Sequence, residues 1–291
     1  VLREELASAP DAEARLAQLL TESGTSLPGN LAPALADVKE NESAIYRDGC
    51  HMGYTSARTP LCVYGDRTSD DVVVLFGDSH AAQWFPALDQ VARERGWQLV
   101  SLTKASCKVA AVTIVKEGEP YASCEAWRDN ALEMIAELRP SLVITSSSDA
   151  GDPVDAMADP LAGWTAGYED TFRRLADTGA RVSVLLDTPW PREDAVECAA
   201  LHPLELDRCT SEVPETIRDR TRREATRAAA ETTGVSVIDP LPWLCTGAGD
   251  CPVVVGDTFV YRDDNHVSEA YAEALAPVLG EQLDGVLGRE P

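Results

Sequence analysis

Residues 72–84 read VVVLFGDSHAAQW. The run Val72–Phe76 is apolar, β-branched and strand-length, the pattern of a strand covered on both faces. Gly77 interrupts it, and Asp78-Ser79 is a pair suited to start a helix. The following AAQWFPALDQVARERG carries apolar residues at helical spacing. Strand, turn and helix in this order open an alternating α/β chain. A core has no use for Asp78, Ser79 and His80 in a row where the strand gives out, whereas a reactive site does.

The alternation continues outward from this stretch. WQLVSLT is a strand, a cysteine-flanked loop spans 107–124, and CEAWRDNALEMIAELRP is a helix. SLVITSSS is a third strand, and GYEDTFRRLADTG is a helix ended by its glycine. RVSVLLDT is a fourth strand, a long helix is expected over about 213–233, and VSVIDP is a fifth strand. VVVGDTFVY reads as a hairpin turning at Gly256-Asp257, and SEAYAEALAPVLGEQL as a closing helix capped by Ser268. The fold class is therefore α/β, with a central, about five-stranded parallel sheet between two helical layers. In such sheets ligands gather beyond the carboxyl ends of the strands. Residues 1–45, with the helical DAEARLAQLL and the Gly/Pro-bearing TSLPGNLAPAL, read as a linker or extension packed on a main domain over 46–291.

The chain has 49 acidic and 25 basic residues, a net charge of −24. No basic stripe stands out, which excludes nucleic acid as a partner. An acidic surface also argues against a polyanionic substrate, although only the local potential at the site decides that. No apolar run is long enough to cross a bilayer. The chain starts at Val1 with no signal peptide or initiator Met, so it is expected to be a piece of a longer protein with any membrane anchor outside it.

Eight cysteines fall in close sequential pairs: Cys50/Cys62, Cys107/Cys124, Cys198/Cys209 and Cys245/Cys251. Eight allow about 105 pairings, so order alone does not prove connectivity. Zinc is the competing use, but CxxC and HxxxH spacings are absent, and no metal site is expected. Four local disulfides imply an oxidising, extracytoplasmic compartment.

Ser79 follows a strand and begins a helix, where backbone N–H groups and the helix dipole favour negative charge. Asp78 and Ser79 either cap that helix or supply a nucleophile. The α/β-hydrolase elbow Gly-x-Ser-x-Gly is not matched, because Ala81 stands where its second glycine belongs. A serine nucleophile needs a base and an orienting group. Of four histidines, His51 adjoins Cys50, His202 lies within the 198–209 staple, and the His80 side chain is expected to follow its helix away from the hydroxyl. His266 in YRDDNHVSEAY remains, with Asp263 three residues before it and close enough to reach Nδ1 across a tight turn. The other use of that segment is a polar loop before a helix. Trp84, Trp97 and Trp127 read as core, while Trp190, after the fourth strand, is a candidate for stacking on a sugar.

Gly77-Asp78-Ser79 with Asp263-x-x-His266 resembles the SGNH (GDSL-like) hydrolase superfamily. With GDSHAAQWFPAL, TKASC, LLDTPWP and YRDDNH, the chain is similar to the extracytoplasmic SGNH domain fused to acyltransferase family 3 membrane proteins, which O-acetylate cell-surface glycans. The resemblance spans about residues 45–285 and implies a three-layer, flavodoxin-like α/β/α fold. It implies Ser79 as nucleophile, His266 as base and Asp263 as its orienter, with a Ser79 backbone N–H in the oxyanion hole. The family's usual oxyanion glycine is missing from Thr103–Cys107, so Ala105 or Ser106 is expected to serve. The usual Asn is replaced by SSSDAG at 146–151, leaving Ser148 or Ser147 for that place, or no donor. Losing one such donor can cost roughly 3 kcal/mol of transition-state stabilisation, so a modest intrinsic esterase rate is expected.

The resemblance implies no directly bound cofactor, acetyl-CoA as the ultimate acyl donor, a membrane-embedded acyltransferase family 3 domain in the same polypeptide as partner, and a glycan or glycolipid acceptor. The expected activity is extracytoplasmic O-acyl transfer, most simply O-acetyl transfer. The alternatives are a secreted carbohydrate acetylesterase with the same triad and a non-catalytic glycan-binding module. A metal hydrolase built on Asp78, His80, Asp263 and His266 is more distant.

Overall fold

The side chains of the strand Val72–Gly77 alternate between two cores. Val73 and Leu75 enter one, Val74 and Phe76 the other, the two-residue period of a strand covered on both sides. The computed structural model describes residues 1–288. Seven strands form its main sheet: β1 (His51–Met52), β2 (Val63–Gly65), β3 (Val72–Gly77), β4 (Gln98–Lys104), β5 (Leu142–Ser146), β6 (Arg181–Leu185) and β7 (Ser236–Ile238). Their order is β1-β4-β3-β5-β6-β7, with β2 on the same edge of β4 as β1. All pairs are parallel except β2 with β4.

Five of the strands, β3 to β7, are those expected from the apolar runs, β7 shortened to three residues. β1 and β2 add a short edge that alternation over two or three residues cannot announce. After β3 the chain adds β4 on one side and β5 on the other. The direction of winding therefore reverses at β3, and the crevice for a ligand opens at its carboxyl end.

The helices used below are α1 (Leu2–Ser8), α2 (Ala12–Thr21), α3 (Ser79–Ala82), α4 (Phe85–Arg95), α5 (Ala122–Leu138), α6 (Pro160–Ala176), α7 (Arg220–Thr233), α8 (Glu269–Ala274) and α9 (Ala276–Leu287). Leu88 and Val91 of α4, Tyr271 of α8 and Leu279 and Leu283 of α9 cover one face of the sheet. Leu2 and Leu6 of α1 and Leu16, Leu19 and Leu20 of α2 extend that same core. Trp127 and Ile135 of α5, Phe172 of α6 and Ala225 and Ala229 of α7 fill the other.

Three expected helices are broken, the closing one at Leu275 between α8 and α9. The segment after Ser79 splits into α3 and α4, with proline in the first turn of α4, where its missing N–H is tolerated. The segment 213–233 splits at Ile217, and Asp219 starts α7 afresh by accepting from the Arg222 N–H. The hairpin at Gly256-Asp257 and the Ser268 cap form as expected. Disulfides join Cys50–Cys62, Cys107–Cys124, Cys198–Cys209 and Cys245–Cys251. No helix among the described residues is long and apolar enough to cross a membrane.

Candidate active site

The turn after β3 is held by two side-chain demands. Gly77 has φ +150°, and a Cβ there would come within 1.8 Å of the Ser146 carbonyl oxygen, so only glycine lets β3 and β5 approach this closely. Asp78 caps α3 by accepting from the His80 N–H at 2.8 Å. The same carboxylate accepts from the Ser148 N–H at 3.1 Å, from Ser148 Oγ at 3.0 Å and from Lys108 Nζ at 2.8 Å. Burial opposes its charge, but Lys108 and His80 outweigh that and hold its pKa at about 2. Cap and nucleophile are therefore not alternatives here. Asp78 does the capping, which leaves Ser79 partly exposed at the first position of α3.

Ser79 Oγ lies 2.9 Å from His266 Nε2, and His266 Nδ1 lies 2.8 Å from Asp263 Oδ2. The other Asp263 oxygen accepts from the backbone N–H groups of Asn265 and His266, at 2.9 and 2.6 Å. These bonds close a tight turn that fixes the imidazole just before α8. Burial disfavours ionised Asp263, but His266 and the two N–H groups prevail and hold its carboxyl below the usual range. Burial also lowers the His266 pKa, helped by nearby His80 and opposed by Asp263, so the ring is neutral at pH 7 and can accept a proton.

The expected oxyanion donors separate. The Ala105 N–H is bonded to the Met52 carbonyl at 2.8 Å, because β1 lies along that edge of β4, so Ala105 is not a donor to a ligand. The Ser148 N–H and hydroxyl both serve Asp78, and Ser147 Oγ accepts from the Val109 N–H, so neither serine takes the place of the family's Asn. Ser106 stands differently. Its φ is +53°, a conformation for which glycine is the usual choice, and its N–H has no protein acceptor among the described residues. The Ser79 N–H also lacks one, leaving two backbone donors beside the cleft.

His80 does not turn away from the site. Its ring centroid lies 4.8 Å from that of His266, and its Nδ1 is 2.6 Å from Asp187 Oδ1. Burial would lower its pKa, but the Asp187 carboxylate outweighs burial and raises it. The other Asp187 oxygen accepts from the Asp149 N–H at 2.8 Å and from the Trp190 indole N–H at 2.9 Å. Trp190 stacks on His80 at 5.4 Å and lines the cleft, so part of its ring already has a partner. His51, set aside on sequence grounds, also lines the cleft and bonds Thr103 at 3.0 Å. Lys108 and Asp187 escaped the sequence reading altogether. The only signals for them were their positions, one beside Cys107 and the other at the end of a strand run.

Around Ser79 the cleft measures about 560 Å³, within the range of small-molecule sites. A family profile described as "SGNH domain (fused to AT3 domains)" matches residues 47–281. The chain belongs to this family. Among solved structures, this SGNH domain is similar to the periplasmic domain of a lipopolysaccharide acetyltransferase of Salmonella ser. Paratyphi A. Identity is 15%, 96% of this chain and 99% of the other are covered, and the TM-score is 0.60. At that identity the likeness establishes a shared fold. It is also similar to an acetyl xylan esterase, at 12% identity over 73% of this chain and 99% of the other, with a TM-score of 0.45. No curated protein matches the chain.

Proposed function

We propose that this SGNH domain is an extracytoplasmic serine O-acyltransferase that O-acetylates a cell-surface glycan or glycolipid. The observation that carries the reading is the continuous hydrogen-bonded line Ser79–His266–Asp263 at 2.9 and 2.8 Å. Ser79 Oγ attacks the acyl carbonyl as neutral His266 Nε2 takes its proton, and the N–H groups of Ser79 and Ser106 receive the oxyanion. The tetrahedral intermediate collapses to a Ser79 ester as His266 returns the proton to the leaving group. An acceptor hydroxyl then gives its proton to His266 and attacks the ester, and Ser79 recovers the proton as the acylated product leaves.

The family's description, a domain fused to AT3 domains, supports transfer over hydrolysis and a membrane partner in the same polypeptide; the proposal adds that this partner delivers the acyl group, with acetyl-CoA as its ultimate source. Four disulfides support placement outside the cytoplasm. The same triad serves a secreted carbohydrate acetylesterase, with water as acceptor. Turnover of p-nitrophenyl acetate by wild type and Ser79→Ala, with and without added glycans, tests both. Acceleration by glycan with an acetylated product supports transfer, glycan-independent hydrolysis supports the esterase, and turnover surviving in Ser79→Ala removes both.

A further inference from the structure

The wall of the cleft is at odds with the charge of the chain. Against 49 Asp and Glu and 25 Lys and Arg overall, no acidic side chain lines the cleft among the described residues, while Lys108, Lys116 and Arg262 do. Lys108 is matched by Asp78 at 2.8 Å. The other two cations are not matched in that way.

Lys116 forms no ion pair among the described residues, and its Nζ lies 4.1 Å from the centroid of the Tyr54 ring. Glu119 faces it in the register of the Val115–Lys116 and Glu119–Pro120 hairpin, but its side chain is exposed and forms no ion pair with Lys116. The Arg262 guanidinium lies 5.2 Å from the Tyr46 ring centroid and 3.5 Å from the Tyr46 hydroxyl. Among the described residues the one carboxylate within 4 Å of it, Asp263 at 3.6 Å, is already bonded to His266, and Glu269 interacts with it from farther away. The cleft thus presents two tyrosine–cation pairs. A tyrosine face orients a cation without neutralising it, so both remain able to form charge-assisted hydrogen bonds to an anion.

We infer that the cleft accepts an acidic sugar, whose carboxylate or phosphate is held by Lys116 and Arg262 while a hydroxyl of the same residue reaches Ser79. The inference rests on the acyl-transfer reading and names its acceptor class. The acidity of the whole chain does not oppose it. At physiological salt, exposed charges more than about 8 Å away are largely screened, so the adjacent pair decides. Arg262 also touches Asp263, which makes Lys116 the cleaner probe.

The test follows the rate at which a neutral fluorophosphonate labels Ser79 in the wild-type domain, with glucose, glucuronate or glucose 6-phosphate added. Either acidic sugar is expected to protect Ser79 at a concentration at least about tenfold below that of glucose, the scale of one charge-assisted hydrogen bond. Which one protects separates a carboxylate from a phosphate acceptor. Lys116→Gln is expected to remove most of that advantage, with glucose as the internal reference. Labelling of Ser79 with no advantage for either acid overturns the inference and leaves the serine mechanism standing. An advantage equally large in Lys116→Gln and in Arg262→Gln also overturns it. Failure to label Ser79 at all removes the acyl-transfer reading itself.

Discussion

His80 and His266 lie ring to ring, with centroids 4.8 Å apart, and each imidazole is held by its own carboxylate, Asp187 at 2.6 Å and Asp263 at 2.8 Å. The two rings are pushed in opposite directions: Asp187 raises the pKa of buried His80, while burial lowers that of His266, with His80 adding to the fall. A base whose neighbour disfavours its protonation suits proton abstraction.

The pH dependence follows with its sign. His266 must be neutral to accept the Ser79 proton, and its pKa is lowered from 6.5, by burial first and by His80 in addition. The acid limb of kcat/KM for p-nitrophenyl acetate is therefore expected to have its midpoint below pH 6.5. Replacing His80 by Gln removes its contribution to that lowering and is expected to move the midpoint upward. A purely structural role for His80 would lower the rate and leave the midpoint in place.

Lys108→Met is expected to be severe for stability. It leaves the Asp78 carboxylate buried with its cation gone, and breaking such a pair typically costs about 3–5 kcal/mol, a fall in Tm of roughly 10 °C. Adding Asp78→Asn is expected to recover part of the loss in a double-mutant cycle. Because the Asp78 pKa is depressed from 3.8 to about 2, its contribution is complete above pH 3.8 and disappears as pH falls through about 2. Thermal melts of the wild type and both variants from pH 7 down to about 2 check the sign.

The Cys107–Cys124 disulfide closes a loop of sequence separation 17, and Cys107 adjoins Ser106. Replacing both cysteines by Ala is expected to cost about 3 kcal/mol of stability in the chain-entropy model. Freeing the segment that aims the Ser106 N–H is also expected to lower kcat more than it raises KM. Steady-state kinetics at a temperature where the variant remains folded separate the two effects.

Much of the architecture was legible because it is local. The run Val72–Phe76, the turn at Gly77 and the turn from Asp263 to His266 each announce themselves within a few residues. Ser79 and His266 could be paired across 187 positions because a serine nucleophile demands a base and few histidines compete. The rest depends on contacts with no local signature. Lys108 meets Asp78 across 30 residues and His80 meets Asp187 across 107, and nothing in a strand or helix period marks either pair. The two-residue β1 is too short to show alternation, yet it occupies the Ala105 N–H and leaves Ser106 as the donor. Ser148 resembles a replacement for an oxyanion side chain until Asp78 is seen to take both its N–H and its hydroxyl.

The central claim is that Ser79 carries the acyl group. Acid-quenching the wild-type domain during turnover of p-nitrophenyl acetate and mapping its peptides by mass spectrometry tests this most directly. The account predicts one acetyl adduct, on the peptide bearing Ser79, and loss of both the adduct and at least about 10⁴-fold of the turnover in Ser79→Ala. An acetyl group mapped to another residue, or turnover retained in Ser79→Ala, would contradict it.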